Sequence, residues 1–412
     1  MKRYIQSLFQ DLRALPRPVY VIIVGQFVNR FGAFVFPFLA LFLKSRHYSM
    51  GEIAVALGAI SCGNLLGPLA GGYLADAIGR RNTICLSLVT SGASILTLYG
   101  VGTYELLLPF AFLYGFCNFL FGPPVSALLS DLVPEERRLV AFAAQRLAIN
   151  AGFAAGPAVA GALFTRAPAM IFVGDAVTTF AFAFLAFAFL PHGLRTIRGN
   201  TASPLIVLKS WRETVVEIAT RNQAYQQFLI CTLLMSVGFS QMFSTFSLTA
   251  SDRGLAPNQY GLIMALNGLI IVLIELPLTP WIKTLEPRRV LSVGYFLLAL
   301  ACWLFSFVET AVGFALAVAV FTLGEITSLP IGLAYSSGLA SERLRGRYFG
   351  LRGMTWALGG LLGNSGVWVY GHLGNIWWLA VGLFPLAAAL VMGFGFNRQK
   401  HAARRAVTSA SA

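Results

Sequence analysis

Residues 71–81 read GGYLADAIGRR, from Gly71 to Arg81. The segment interrupts two long apolar runs, and it gathers one acid, two arginines and three glycines in a chain with only 11% charged residues. Charges concentrated between two runs long enough to cross a bilayer mark a turn in water joining two membrane helices. Working outward from this turn, the flanks read as spans, and the rest of the chain repeats the same alternation.

Composition supports that reading. A soluble domain carries about 25% charged residues. This chain is 57% hydrophobic, and its 34 phenylalanines exceed its 16 acids. An all-α integral membrane protein is expected. A net charge of +14 in a soluble protein would point to nucleic acid, but here the cations sit in short loops between apolar runs, so no nucleic-acid partner is expected. Met1–Pro18 is polar and basic, and the run after it is too long for the core of a signal peptide. The five cysteines (Cys62, Cys85, Cys117, Cys231, Cys302) fall inside apolar runs without a CxxC, and the four histidines fall in loops or tails. No P-loop is present, so the expectation is no enzyme, no cofactor and no metal.

Twelve spans are expected at 19–43, 51–75, 83–102, 106–130, 139–164, 168–190, 224–250, 258–282, 289–308, 311–338, 347–371 and 375–396. They group into an N-terminal six-helix bundle (1–190), a linker (191–223), a C-terminal six-helix bundle (224–396) and a polar tail (397–412). Apolar and charged positions alternate at helical spacing over 205–219, the pattern of a helix lying on the membrane surface. Numbering loops alternately puts 24 of the 30 lysines and arginines on the side of the termini and linker. That asymmetry sets both termini in the cytoplasm of a bacterial inner (plasma) membrane.

The chain also repeats. Pro123 and Pro330, Glu135 and Glu342, Arg138 and Arg345, Phe142 and Phe349, Gly152 and Gly359, and Gly156 and Gly363 all stand 207 residues apart without a gap. Six spans per half is an even number, so both halves have one orientation and a central site is expected between them.

Six plus six spans, a basic linker and G-x-L-A-D-x-x-G-R-R between spans two and three resemble the major facilitator superfamily. The motif stands as Gly72, Leu74, Ala75, Asp76, Gly79, Arg80 and Arg81. Gly72 is expected to let span two approach a neighbour, Gly79 to permit a tight reversal, and Asp76 to meet a cation or a helix N-terminus. The resemblance implies that this cluster latches the cytoplasmic side in the outward-facing state. In span five, Gly152, Gly156, Pro157, Ala160 and Gly161 look like the antiporter motif of the drug:proton exchange branch. Small residues four apart permit close helix contact, and Pro157 removes a backbone bond. The stretches Asn29–Leu43 and Phe119–Arg138 look like the same branch. Many of its members carry an arginine in span four, and Leu106–Ser130 has none, so coupling through such a residue is excluded.

Ionisable groups inside spans are costly, about 2.5–3.5 kcal/mol on insertion scales, and usually face a cavity or a partner. Arg30, Arg146, Asp175, Glu275 and Glu325 qualify. Glu325 and Glu275 are the most isolated. Desolvation favours the neutral form of such a carboxylate, so each is a candidate proton carrier or cation-binding acid, or else a hydrogen-bonded packing residue. Asp175 falls in the third of span six nearest the opposite side, from which it can snorkel to water. Arg30 either balances a central acid or binds an anionic group. Arg146 reads as a snorkelling or gate residue. Asn29 and Asn267 sit at cavity depth, and Phe34, Phe36, Phe38, Phe239, Phe243 and Phe246 are candidates for an apolar pocket. The leading expectation is a monomeric secondary transporter that exports amphipathic drug-like small molecules against protons by alternating access. A facilitator, metabolite importer or lysolipid flippase of the same fold is the alternative, and a transport-dead membrane receptor a remoter one.

Overall fold

The computed structural model describes residues 14–192, 222–282, 284–339 and 345–394. Lys283, the surface helix expected at 205–219 and the tail at 397–412 lie outside them. Every regular element among the described residues is α-helical. The helices join end to end into twelve runs: 17–45, 50–77, 80–100, 104–132, 135–166, 169–189, 223–252, 257–282, 287–307, 311–339, 345–373 and 376–394. These are called spans one to twelve, and no boundary departs from the sequence expectation by more than four residues. Eleven of the runs are long and apolar enough to cross a membrane by length and composition. The remaining one, span eleven, carries Arg345, Arg347 and Arg352 in its first turns. The end of the bundle holding Gly79, Pro134, His192, Asn222 and Glu286 is called the linker end.

Span two starts with a capping box. Ser49 N donates to the Glu52 carboxylate at 2.8 Å, and Glu52 N donates to Ser49 Oγ at 3.3 Å. It ends at Gly79, whose φ of 93° lies in the region that a side chain disfavours, so span three begins at Arg80 after only two intervening residues.

Spans one and seven are each broken near the middle, between Phe31 and Val35 and between Ser240 and Thr245. Broken helices release backbone groups that hydrocarbon cannot satisfy, and each break has a buried side chain that answers them. At the first, the Asp175 carboxylate accepts Val35 N–H at 3.1 Å. At the second, Gln241 Nε2 donates to Val237 O and Gly363 O, both at 2.9 Å, while its carbonyl accepts Thr245 Oγ1 at 2.6 Å and Trp377 Nε1 at 3.1 Å.

The internal repeat is visible in the packing. A methyl group on Gly156 would stand 2.5 Å from Phe31 O, and one on Gly363 would stand 2.8 Å from Val237 O. Span five therefore lies on span one as span eleven lies on span seven. The closest approach to a neighbouring backbone within the N-terminal half carried no such motif. Gly63, Gly67 and Gly71 face Phe112 O, Phe116 O and Leu120 O of span four, where a methyl group would stand at 2.3, 2.4 and 2.0 Å. Gly72, expected to make this approach, has nothing within 4 Å. Adjacent helical residues point about 100° apart, so the spacing of four that runs through 63, 67 and 71 excludes 72 from the seam.

Gly67→Ala is accordingly expected to destabilise the detergent-solubilised protein by about 1–3 kcal/mol, the usual cost of overpacking. Gly72→Ala should leave the thermal unfolding midpoint unchanged. Equal midpoints for the two variants would contradict this packing.

Candidate functional site

The two halves meet along spans five and eight, along spans two and eleven, and between spans one and seven. On the first seam, methyl groups at Gly161 and Gly261 would stand 2.6 Å from Pro257 O and 2.3 Å from Pro157 O, and one at Gly268 would stand 2.4 Å from Ala154 Cα. Nearer the linker end the same two helices are joined by an ion pair between Arg146 and Glu275. The antiporter-motif residues therefore act in two different places: Gly152 and Gly156 seat span five on span one, whereas Pro157 and Gly161 seat it on the opposite half. Pro157 lies within a continuous helix, Glu135–Arg166.

Away from the linker end the halves close on one another. Lys44 forms an ion pair with Asp252, whose other oxygen accepts Tyr370 Oη at 2.9 Å. Tyr260 Oη donates to Pro37 O at 3.0 Å. Asn364 Nδ2 donates to Leu57 O at 3.1 Å and to Ser61 Oγ at 2.8 Å. Inside this seal, Phe36 and Phe243 meet across the halves with ring centroids 5.3 Å apart. Below them lies a cavity of about 690 Å³. It opens toward the linker end, where Leu69 of span two and Met354 of span eleven are 59% and 44% exposed.

Phe36, Phe239 and Phe243 line the cavity, while Phe34, Phe38 and Phe246 are packed in the core. Among the described residues Arg30 is the one charged residue of its wall. Arg30 also borders a side pocket of about 70 Å³ with Asn29, Tyr114, Asn118 and Asp175. Its guanidinium carbon lies 5.8 Å from the ring centroids of both Phe121 and Phe153, and its Nε has no hydrogen-bond partner. Asn29 is buried and donates to Thr179 Oγ1 at 3.2 Å. Asp175 does not snorkel: it is 3% exposed, because its oxygens serve the break in span one rather than water.

Glu325 and Glu275 lie apart from the cavity wall. Asn267 Nδ2, on span eight, donates to Glu325 Oε2 of span ten at 3.0 Å and to Thr322 Oγ1 at 2.9 Å. Asn267 and Glu275 stand eight residues apart on one helix, about 12 Å along its axis. The candidate residues thus form two groups. Asn29, Arg30 and Asp175 surround the break in span one, and Asn267, Glu275 and Glu325 occupy the spans-five-eight-ten seam with Arg146.

The turn between spans two and three ties its own half together. Arg80 pairs with Asp131 at the end of span four, and its Nη1 donates to Ala127 O at 3.4 Å. Arg81 donates to His192 Nε2 at 2.7 Å and lies 5.4 Å over the Phe187 ring, holding the end of span six. Asp76 is exposed in the last turn of its helix. Asp131 and the Lys44–Asp252–Tyr370 group were missed from the sequence. The signal for Asp131 was an acid at the linker end of an apolar helix. For Lys44 and Asp252 it was opposite charges at nearly equivalent ends of spans one and seven.

A bundle of twelve spans in two parallel repeats, with a cavity between them sealed at one end, defines a polytopic membrane transporter. The family described as Major Facilitator Superfamily matches residues 22–364 and, in an overlapping match, 228–410. The chain belongs to that superfamily. It is 24% identical to a Na(+), Li(+), K(+)/H(+) antiporter of Planococcus maritimus, covering 92% of this chain and 96% of the relative. It is also 24% identical to the multidrug resistance protein MdtH of Escherichia coli, covering 94% and 96%. Its fold matches the crystal structure of a variant of peptide transporter POT with a TM-score of 0.75 at 17% identity, covering 92% and 93% of the two chains.

The Lys44 and Asp252 side chains are 28% and 40% exposed, so their pair contributes about 1 kcal/mol or less. Asp252→Ala should still raise the population open at the far end by up to about fivefold. The check is the distance distribution between spin labels at Gly102→Cys and Glu309→Cys, which sit in far-end loops of the two halves, in a background without other cysteines. A distribution identical with and without Asp252→Ala would contradict the gate.

Proposed function

We propose that this chain exports amphipathic, drug-like small molecules across a bacterial inner membrane in exchange for protons, by rocking its two halves about the central cavity. The observation that carries this reading is the cavity itself. Its volume suits one drug-sized ligand, its wall is largely aromatic and aliphatic, and it is closed at one end by contacts between the halves. The excess of lysine and arginine at the linker end makes that end cytoplasmic, so the conformation described receives its substrate from the cytoplasm. The close glycine seam of spans five and eight gives the rocking halves a smooth axis on which to turn.

Glu325 is the proton carrier in this scheme. Glu275 has a cation, Arg146, that stabilises its charged form. Glu325 has an amide partner and no ion pair among the described residues. A carboxylate within a span without a counter-ion gains most from accepting a proton, and Asn267 can remain a partner to either form by rotating its amide. The relative from Planococcus maritimus, which exchanges cations for protons by name, supports exchange against protons. The MdtH relative supports a drug-like cargo.

In proteoliposomes with an imposed pH gradient, wild type should accumulate members of a panel of amphipathic dyes. Glu325→Gln should abolish accumulation while retaining exchange between preloaded and external dye. Gradient-independent flux by wild type would make the chain a facilitator, and unchanged accumulation by Glu325→Gln would remove the residue from the coupling step.

A further inference from the structure

The charge distribution around the cavity selects among amphipathic substrates. The acids that would attract a lipophilic cation are committed elsewhere: Glu275 to Arg146, Glu325 to Asn267, Asp131 to Arg80, Asp252 to Lys44 and Tyr370. None of them lines the cavity. Asp175 borders the side pocket only, and its hydrogen bonds are to Val35 N at 3.1 Å and, more weakly, to Thr179 Oγ1 at 3.5 Å. What the wall presents is Arg30, gripped by two aromatic faces, with an unpartnered Nε and no ion pair with Asp175 among the described residues. Eight other polar side chains line the two pockets, all of them uncharged serine, asparagine or tyrosine.

We propose that the cavity binds monoanionic amphiphiles: an aromatic or alicyclic body among Phe36, Phe119, Phe239, Phe243 and Trp356, and a carboxylate or sulfonate against Arg30 at the mouth of the side pocket. This rests on the cavity being the transport site proposed above, and it names the class of molecule that site takes. The side pocket holds about two waters' volume, room for a small anionic group but not for a ring. Tyr114 and Asn118 border it and bring further donors. Asp175 on the same pocket repels a second negative charge, which sets the preference for one charge over two. At an effective dielectric constant of about 20, Arg30 by itself disfavours a cation about 6 Å away on the order of a hundredfold, a penalty that the Asp175 carboxylate on the side pocket reduces.

The test compares two probes that share one aromatic body, and adds a cation with a different one. Anilinonaphthalene sulfonate carries one negative charge, phenylnaphthylamine is its neutral counterpart, and ethidium supplies a cation. Binding to the full-length protein in nanodiscs is read by fluorescence, with Gly360→Trp as the blank. Gly360 lines the cavity with nothing within 4 Å of its position, so the indole fills the site. Wild type should bind the sulfonate at least about tenfold more tightly than the neutral probe. Arg30→Gln should erase that preference without changing the affinity for the neutral probe, and Arg30→Lys should keep most of it. Asp175→Asn retains an acceptor for Val35 N–H and should strengthen sulfonate binding, which decides the matter if Arg30→Gln does not fold. Preference for ethidium, equal affinity for the two naphthalene probes, sulfonate binding intact in Arg30→Gln, or no gain in Asp175→Asn would overturn the assignment. The measurement needs no gradient. Arg30-dependent binding without any transport would sink the transport reading alone, and gradient-driven transport with Arg30-independent binding would sink only this one.

Discussion

A backbone amide freed inside a bilayer has no water to turn to, and this constraint organises the centre of the molecule. Spans one and seven are both interrupted at mid-depth, and each interruption survives because one buried side chain takes over the orphaned groups. Asp175 does this from a neighbouring span, and Gln241 from the interruption itself. The consequences reach the cavity. Arg30, just before the first break, lines the wall, and Phe243, within the second, meets Phe36. The Asp175 carboxylate is thereby engaged by the backbone of span one, and among the described residues no ion pair joins it to Arg30.

Around that centre, glycine sets how near the helices come. The pairs Gly152–Gly156 and Gly359–Gly363 seat equivalent spans in the two halves, so the repeat in the chain corresponds to a repeat in packing. The other contacts break the symmetry. Arg80 and Asp131 bind within the N-terminal half, whereas the residues 207 positions later are Pro287 and Gly338, which cannot pair. The charge pair that ties the linker side of one half therefore has no counterpart at the equivalent positions of the other. The glycine stripe of span two is likewise replaced by isoleucine and leucine at 270, 274 and 278.

The spans themselves were legible, because burying a helix in hydrocarbon demands an unbroken apolar run and leaves charge only at the ends. The site was legible in part. Arg30 was visible as a charge that had to face something, and its cavity agrees with that. Glu325 and Glu275 were equally visible, but their separation from the cavity wall was not, since each depends on how spans eight and ten are rotated. Gly72 was misread for the same reason: a motif names a turn, and only the helix phase tells which glycine of Gly71–Gly72 meets span four.

By itself the sequence determined the number of crossings, their ends, the cation asymmetry and the duplication of six spans, because each follows from the cost of placing polar groups in hydrocarbon along a single helix. Tertiary structure decided which polar groups meet. The Lys44–Asp252–Tyr370 closure and the capping of span one by Asp175 join residues more than a hundred positions apart. Such pairings are set by helix rotation and by the packing of one half on the other, and neither leaves a local trace in the order of residues.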